Sequence, residues 1–207
     1  MTEEQVRNTL HHHLPERAVA YCFLLWKEKP FKFKLTRSRQ TKIGDFTCRD
    51  SAQPRITLNQ DLNRYTFLIT YIHEVAHFHV FLEFGHRAEP HGDRWKKTFQ
   101  KLLEPVLSSE IFPQVILDPL TNHMQNPKAS SFADTVLTKV LRSFDENSHA
   151  DIVLSDLPEG STFRLNGRYF KKGKLKRTRI LCKEVNSRRQ YLVPAEALVS
   201  DVQLSLL

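Results

Sequence analysis

Cysteine is scarce in this 207-residue chain. Cys22, Cys48 and Cys182 are odd in number, far apart and without a C-x-x-C pair, a pattern that indicates neither a disulfide framework nor a zinc ribbon and fits a reducing compartment. Long apolar runs are missing as well. The most apolar stretch, Ala18 to Trp26, is well short of the roughly 18 residues of a membrane span and is flanked by Glu16, Arg17 and Lys27. The opening Met1-Thr2-Glu3-Glu4 has neither the basic nor the apolar region of a secretory leader. Only six glycines are present, and no tract is repeated or of low complexity, so disordered and fibrous classes drop out. These absences predict a soluble, cytoplasmic protein with no membrane partner. The length allows one core plus a small appendage, not two full-sized domains.

What is present is unevenly placed. Residues 161–190 hold eleven Lys and Arg against the single acid Glu184, a net +10, whereas the whole chain carries +8, so the remainder sums to about −2. A block of one sign predicts attraction to a polyanion, nucleic acid before membrane because no hydrophobic insertion face accompanies it; the plainer reading is a solvated basic surface.

The periodicity predicts an α+β protein. Residues 3–13 and 15–28 read as two helices parted near Leu14-Pro15. Residues 31–37, 42–48 and 54–59 are alternating or β-branched and read as a three-stranded antiparallel meander. Asn59 to Asn63 offers capping residues for a long helix from about Arg64 to Phe84, stopped by Gly85. A second helix from about Asp93 puts Trp95, Phe99, Leu102, Leu103 and Val106 on one face. Residues 112–130, with Pro113, Pro119 and Pro127, read as an irregular connection, and residues 131–145 as a third amphipathic helix. Beyond Ser148 short β runs follow, at Thr162–Leu165, Arg168–Lys171, Thr178–Glu184 and Gln190–Val193. They are punctuated by Asn166-Gly167, a type I′ hairpin signal, and by Lys172-Gly173. The expected organisation is a main domain over 1–110, a helical connection packed on it over 111–150, and a small basic β domain over 151–207.

The chemistry concentrates in His73-Glu74-Val75-Ala76-His77, inside the long helix, with His91 returning in Pro90-His91-Gly92-Asp93-Arg94-Trp95. Positions i and i+4 share a helix face, so His73 and His77 can close on one zinc ion, with His91 as third ligand and a fourth position left open. Glu74 then lies beside the metal, where it can take a proton from a zinc-activated water as general base. Glu83 and Glu89 are alternative third ligands, although Glu83 points to another face and Glu89 is strained. The longer H-E-x-x-H-x-x-G-x-x-H pattern fails because Val80 and Glu83 stand where Gly and His are required. His79, His86 and the run His11-His12-His13 read as bystanders.

With the preceding helices and strands, His73-Glu74-Val75-Ala76-His77 and His91-Gly92-x-x-Trp95 resemble the SprT-like metalloprotease family, which includes Spartan-type DNA–protein crosslink proteases. The resemblance covers about residues 5–105. It implies a zincin-like domain built on an active-site helix, a zinc ion held by His73, His77 and His91, Glu74 as general base, and a peptidase acting on proteins near DNA. Many family members carry a cysteine zinc ribbon after the protease domain. This chain has only Cys182 there, so DNA contact would fall to Lys171, Lys172, Lys174, Lys176, Arg177 and Arg179, with Tyr169, Phe170 and Tyr191 either stacking on bases or forming the small core. A nucleic-acid-binding protein with a structural or vestigial metal site, and a zinc hydrolase of small amides, are the competing readings.

Overall fold

The computed structural model describes residues 1–39, 42–48, 53–128, 134–145 and 152–203. The chain divides into two compact units, Met1–Asp145 and Glu146–Leu207. Among the described residues no helix is long and apolar enough to cross a membrane.

The first unit is built around α3 (Arg64–Phe84), a 21-residue helix buried on nearly every side. Its apolar residues are not confined to one stripe. Phe67, Leu68, Tyr71, Ile72, Val75 and Ala76 are all fully enclosed, which calls for partners all round. Asn63 caps it, its side chain accepting from the backbone N–H groups of Tyr65 and Thr66 while its Nδ2 donates to the Leu141 carbonyl at 2.9 Å. Gly85, at φ +62°, stops it and returns its N–H to Phe81.

Two helices, α1 (Glu3–His13) and α2 (Glu16–Glu28), cover one side. Tyr71 donates from its hydroxyl to the Cys22 carbonyl at 3.0 Å, and Tyr21 to that of Leu102 at 2.8 Å, which satisfies the polar tips of two largely enclosed rings. A three-stranded sheet of β1 (Lys32–Thr36), β2 (Gly44–Thr47) and β3 (Arg55–Asn59) covers another side, with Phe33, Ile56 and Leu58 buried.

Its topology departs from the expected antiparallel meander. The order is β1-β3-β2, with β3 in the centre, parallel to β1 and antiparallel to β2. Alternating side chains fix which face a strand buries but not the direction of its neighbour, and the central strand's four consecutive buried residues, Ile56 to Asn59, mark it as covered on both faces.

Also packed on α3, α4 (Asp93–Leu103) buries Trp95, Phe99, Leu102 and Leu103, the face that the spacing predicts. The expected irregular connection over 112–130 is instead a helix, α5 (Gln114–Gln125), with Pro119 inside it. The hydrogen bond lost at Pro119 falls toward Val115, which is exposed, so water can replace it. The last helix, α6 (Thr135–Arg142), is capped by Asp134 and falls within the predicted 131–145, of which residues 131–133 lie outside the described ones. Both helices bury apolar side chains in the core that holds α3: Ile116, Leu120, Leu137 and Leu141.

The second unit is a six-stranded sheet in the order β4-β9-β5-β6-β7-β8, comprising β4 (Ile152–Val153), β5 (Thr162–Leu165), β6 (Arg168–Lys176), β7 (Arg179–Glu184), β8 (Gln190–Pro194) and β9 (Leu198–Gln203). Phe163, Phe170, Ile180, Cys182, Val193 and Val199 form its core. Asn166 and Gly167 both have positive φ, as the predicted tight hairpin requires. Lys172-Gly173 is not a turn. The register of β6 against β7 shifts between Lys172 and Leu175, and a Cβ on Gly173 would sit 2.5 Å from the Leu181 carbonyl oxygen, so glycine admits the bulge inside a continuous strand.

Candidate metal centre

His73 and His77 sit one turn apart on α3, and the loop after Gly85 brings His91 back to them. The three Nε2 atoms form a triangle with sides of 3.2 Å (His73 to His77), 2.9 Å (His77 to His91) and 3.3 Å (His73 to His91). Ligands about 2.0–2.1 Å from one tetrahedral ion are separated by about 3.3 Å, close to these values. Hydrogen bonding among the rings does not explain the triangle. A neutral imidazole nitrogen is either donor or acceptor, so two of any three share a role and one contact is always unpaired. A divalent cation accepts all three lone pairs, and the residues present fit one. Among the described residues this is the one cluster of its kind.

The rings are held in the form a metal requires. Burial, followed by the nearby His77, His91 and His123, pushes the pKa of His73 well below its usual value; burial and His91 bring His77 down to about 4; burial lowers His91. All three are therefore neutral at pH 7. Trp95 supports them from α4, its ring centroid 4.6, 5.3 and 4.6 Å from those of His73, His77 and His91, and it is fully buried. His91 has φ +60°, an uncommon backbone state for a side chain with a Cβ. Gly92 follows as the N-cap of α4 and donates its N–H to the Glu89 carbonyl at 3.1 Å, which closes the return.

Glu74 is 7% exposed and faces β2. Burial, then the nearby Asp45, raises its pKa to about 8, against the backbone N–H of Phe46 and the cations of Arg39 and Lys42, which favour the carboxylate. The approach is close: a Cβ on Gly44 would lie 2.6 Å from Glu74 Oε1 and 2.6 Å from Thr70 Cγ2. Arg39 is itself anchored on β3, donating to Asn59 Oδ1 at 2.9 Å and Thr57 Oγ1 at 3.2 Å.

Sequence reasoning missed Gly44, Asp45 and Arg39, because each reaches Glu74 by packing of a strand or loop far from it in the chain. Glycine in a short strand was the available signal. It also missed His123, a buried residue of α5 near His73, whose Nδ1 lies 3.3 Å from Asp134 Oδ2.

The alternative ligands are not in the triangle. Glu83 and Glu89 are exposed and belong to no metal-competent cluster. His86 packs edge-on against Phe81, and His13 stacks on Phe67 at 4.8 Å. His79 leaves a buried Nε2 without a partner.

In the second unit Lys171, Lys174, Lys176, Arg177 and Arg179 are exposed, but Lys172 is 9% exposed and turned inward, its ammonium donating to the carbonyls of Ser155 and Leu157. It is therefore withdrawn as a phosphate contact: position 172 pairs with the buried Cys182 on the core face of β6. Phe170 is likewise core, and Tyr191 packs edge-on against it at 5.6 Å.

No curated protein and no solved structure matches the chain. Residues 11–112 match the model of the SprT-like family. That span carries His73, Glu74, His77 and His91 together with the helix, strands and loop that assemble them, and over it the chain is SprT-like.

Proposed function

We propose that the chain is a zinc-dependent metallopeptidase of zincin-like design, with one ion held by His73, His77 and His91 and with Glu74 as general base. The observation that carries this reading is the triangle of imidazole nitrogens on the helix that also bears a buried carboxyl of raised pKa. When bound, zinc supplies Lewis acidity, polarising a carbonyl and acidifying water. The rest is the work of the chain.

In the metal-free chain burial raises the Glu74 pKa to about 8, and a buried carboxyl beside the ligand helix suits a group that must take a proton from water and return it to the leaving amine. Phe46 N–H fixes the orientation of that carboxylate, and Gly44 makes room for it. Trp95 packs against the rings of the three histidines and limits their alternative rotamers.

A peptide substrate fits the strand beside Glu74. β2 lies at the edge of its sheet, and because Asn59 N–H bonds to Ile43, the intervening Gly44 and Phe46 direct their backbone groups away from β3. With the Phe46 N–H held by Glu74, an extended chain pairing through Gly44 and the Phe46 carbonyl would pass over the carboxylate. The three free cysteines fit a reducing compartment, and we place the protein in the cytoplasm.

The test is Glu74→Gln. The variant should bind one equivalent of zinc and cleave neither an unfolded protein nor a quenched peptide library; undiminished hydrolysis removes Glu74 from the mechanism. Cleavage of small amides alone, with unfolded protein untouched, would favour the small-substrate hydrolase.

A further inference from the structure

The sheet of the second unit has two unlike faces. Register and burial place Phe163, Phe170, Ile180, Cys182 and Val193 on the core side. The opposite side carries cations in directly facing pairs, Lys171 opposite Lys183 and Lys176 opposite Arg179. Between these two rows, two residues along β7 from each, Leu181 faces Leu192, which is 51% exposed. The rows are thus about 13 Å apart along the strands, with a narrow apolar stripe midway. Tyr169, 42% exposed, stands on the same side two residues before Lys171, its hydroxyl hydrogen-bonded to Asp201 at 3.3 Å.

Like charges facing one another across a sheet oppose folding. Among the described residues none of Lys171, Lys176, Lys183 and Arg179 forms an ion pair. Two acids of the unit are engaged elsewhere: Glu184 with Arg168 and Ser187, and Asp201 with Arg164 and Tyr169. An external polyanion would remove that repulsion.

We propose that this face of β6, β7 and β8 binds single-stranded nucleic acid, with phosphates on Lys171, Lys183, Lys176 and Arg179 and unpaired bases against Leu181, Leu192 and Tyr169. An unpaired strand is favoured over a duplex because the cation rows flank a flat apolar stripe, which exposed base faces can cover and stacked pairs cannot. The apolar area is too narrow for membrane insertion.

The full chain, with chelator present so that the outcome is independent of peptidase activity, is titrated against a fluorescein-labelled thymidine 20-mer. A blunt duplex of equal length and anionic phospholipid vesicles are measured in parallel. Four phosphate contacts give a slope of log K against log salt of about −2.8, or roughly a 50-fold loss between 50 and 200 mM.

The double variant Lys171→Glu/Lys176→Glu places acids opposite Lys183 and Arg179. It should melt no lower than the parent by circular dichroism, while its affinity falls at least about tenfold and its slope roughly halves. Equal affinity of parent and variant, tighter binding of the duplex, binding to vesicles only, or no salt-sensitive binding of the 20-mer would each overturn the proposal.

Discussion

Replacing Glu74 by Gln in the metal-free chain tests whether burial of that carboxyl shapes the stability of the first unit. The folded pKa is about 8 against 4.5 for the free side chain. Below pH 4.5 the carboxyl is protonated in both the folded and unfolded states, and it costs nothing. Between pH 4.5 and 8 the unfolded chain releases the proton that the folded chain keeps, so stability falls as pH rises. Above pH 8 the folded chain holds a buried carboxylate at full cost, at most about 5 kcal/mol at about 1.36 kcal/mol per pH unit.

Gln does not titrate. The variant should therefore match the parent at pH 4 and exceed it by about 2–5 kcal/mol at pH 9, which is roughly 5–20 °C in Tm for a unit of this size. The lowered histidines are common to both chains and cancel in the difference. Tryptophan fluorescence is the right probe, because both tryptophans, Trp26 and Trp95, lie in the first unit. A difference that stays constant from pH 4 to 9, or a variant less stable than the parent at pH 9, would refute the electrostatic reasoning.

Gly44→Ala forces a methyl group to within 2.6 Å of Glu74 Oε1 and Thr70 Cγ2 and should cost about 1–3 kcal/mol in urea unfolding, with peptidase activity lost more steeply than zinc binding; unchanged activity would mean that β2 yields freely. His79 carries a buried nitrogen without a partner and a pKa brought down to about 4 by burial and the cations of Lys29 and Lys101, so its stabilising contribution is lost as pH falls from 6.5 toward 4. His79→Leu should raise stability by about 1–3 kcal/mol at pH 5 and less at pH 8, read from denaturant midpoints, and a loss at pH 5 would contradict this. A chain cut after Phe112, where the family match ends, loses the buried Ile116, Leu120, Met124, Leu137 and Leu141. At about 1.5–3 kcal/mol each this equals the whole stability of a typical domain. That fragment should show no cooperative melt while residues 1–145 do, and a sharp transition in the shorter one would show that α5 and α6 are dispensable.

The three-histidine cluster was legible because its geometry is local. An i, i+4 pair on a helix is fixed by helical pitch, and His91 is delivered by a short loop ending at a glycine cap. The residues tuning Glu74 were not legible: Gly44 and Asp45 lie on a strand whose neighbour is decided by non-local pairing, and Arg39 is placed by polar side chains of the central strand. The parallel pairing of β1 with β3 was hidden for the same reason. Pro113 and Pro119 masked α5, since a proline at the N-cap and one whose lost bond faces solvent both leave a helix standing. Lys172 looked like one more cation in a basic run, and only its register opposite Cys182 shows that it points inward.

Zinc titration of the chelator-treated chain, followed by tryptophan fluorescence and closed by metal analysis, tests the central claim most directly. One equivalent should bind per chain, with a rise in thermal stability of about 2.7 kcal/mol at a hundredfold excess over Kd. Glu74→Gln should keep that stoichiometry, and His73→Ala, His77→Ala and His91→Ala should each lose it. Full zinc retention by His91→Ala would contradict the three-imidazole site.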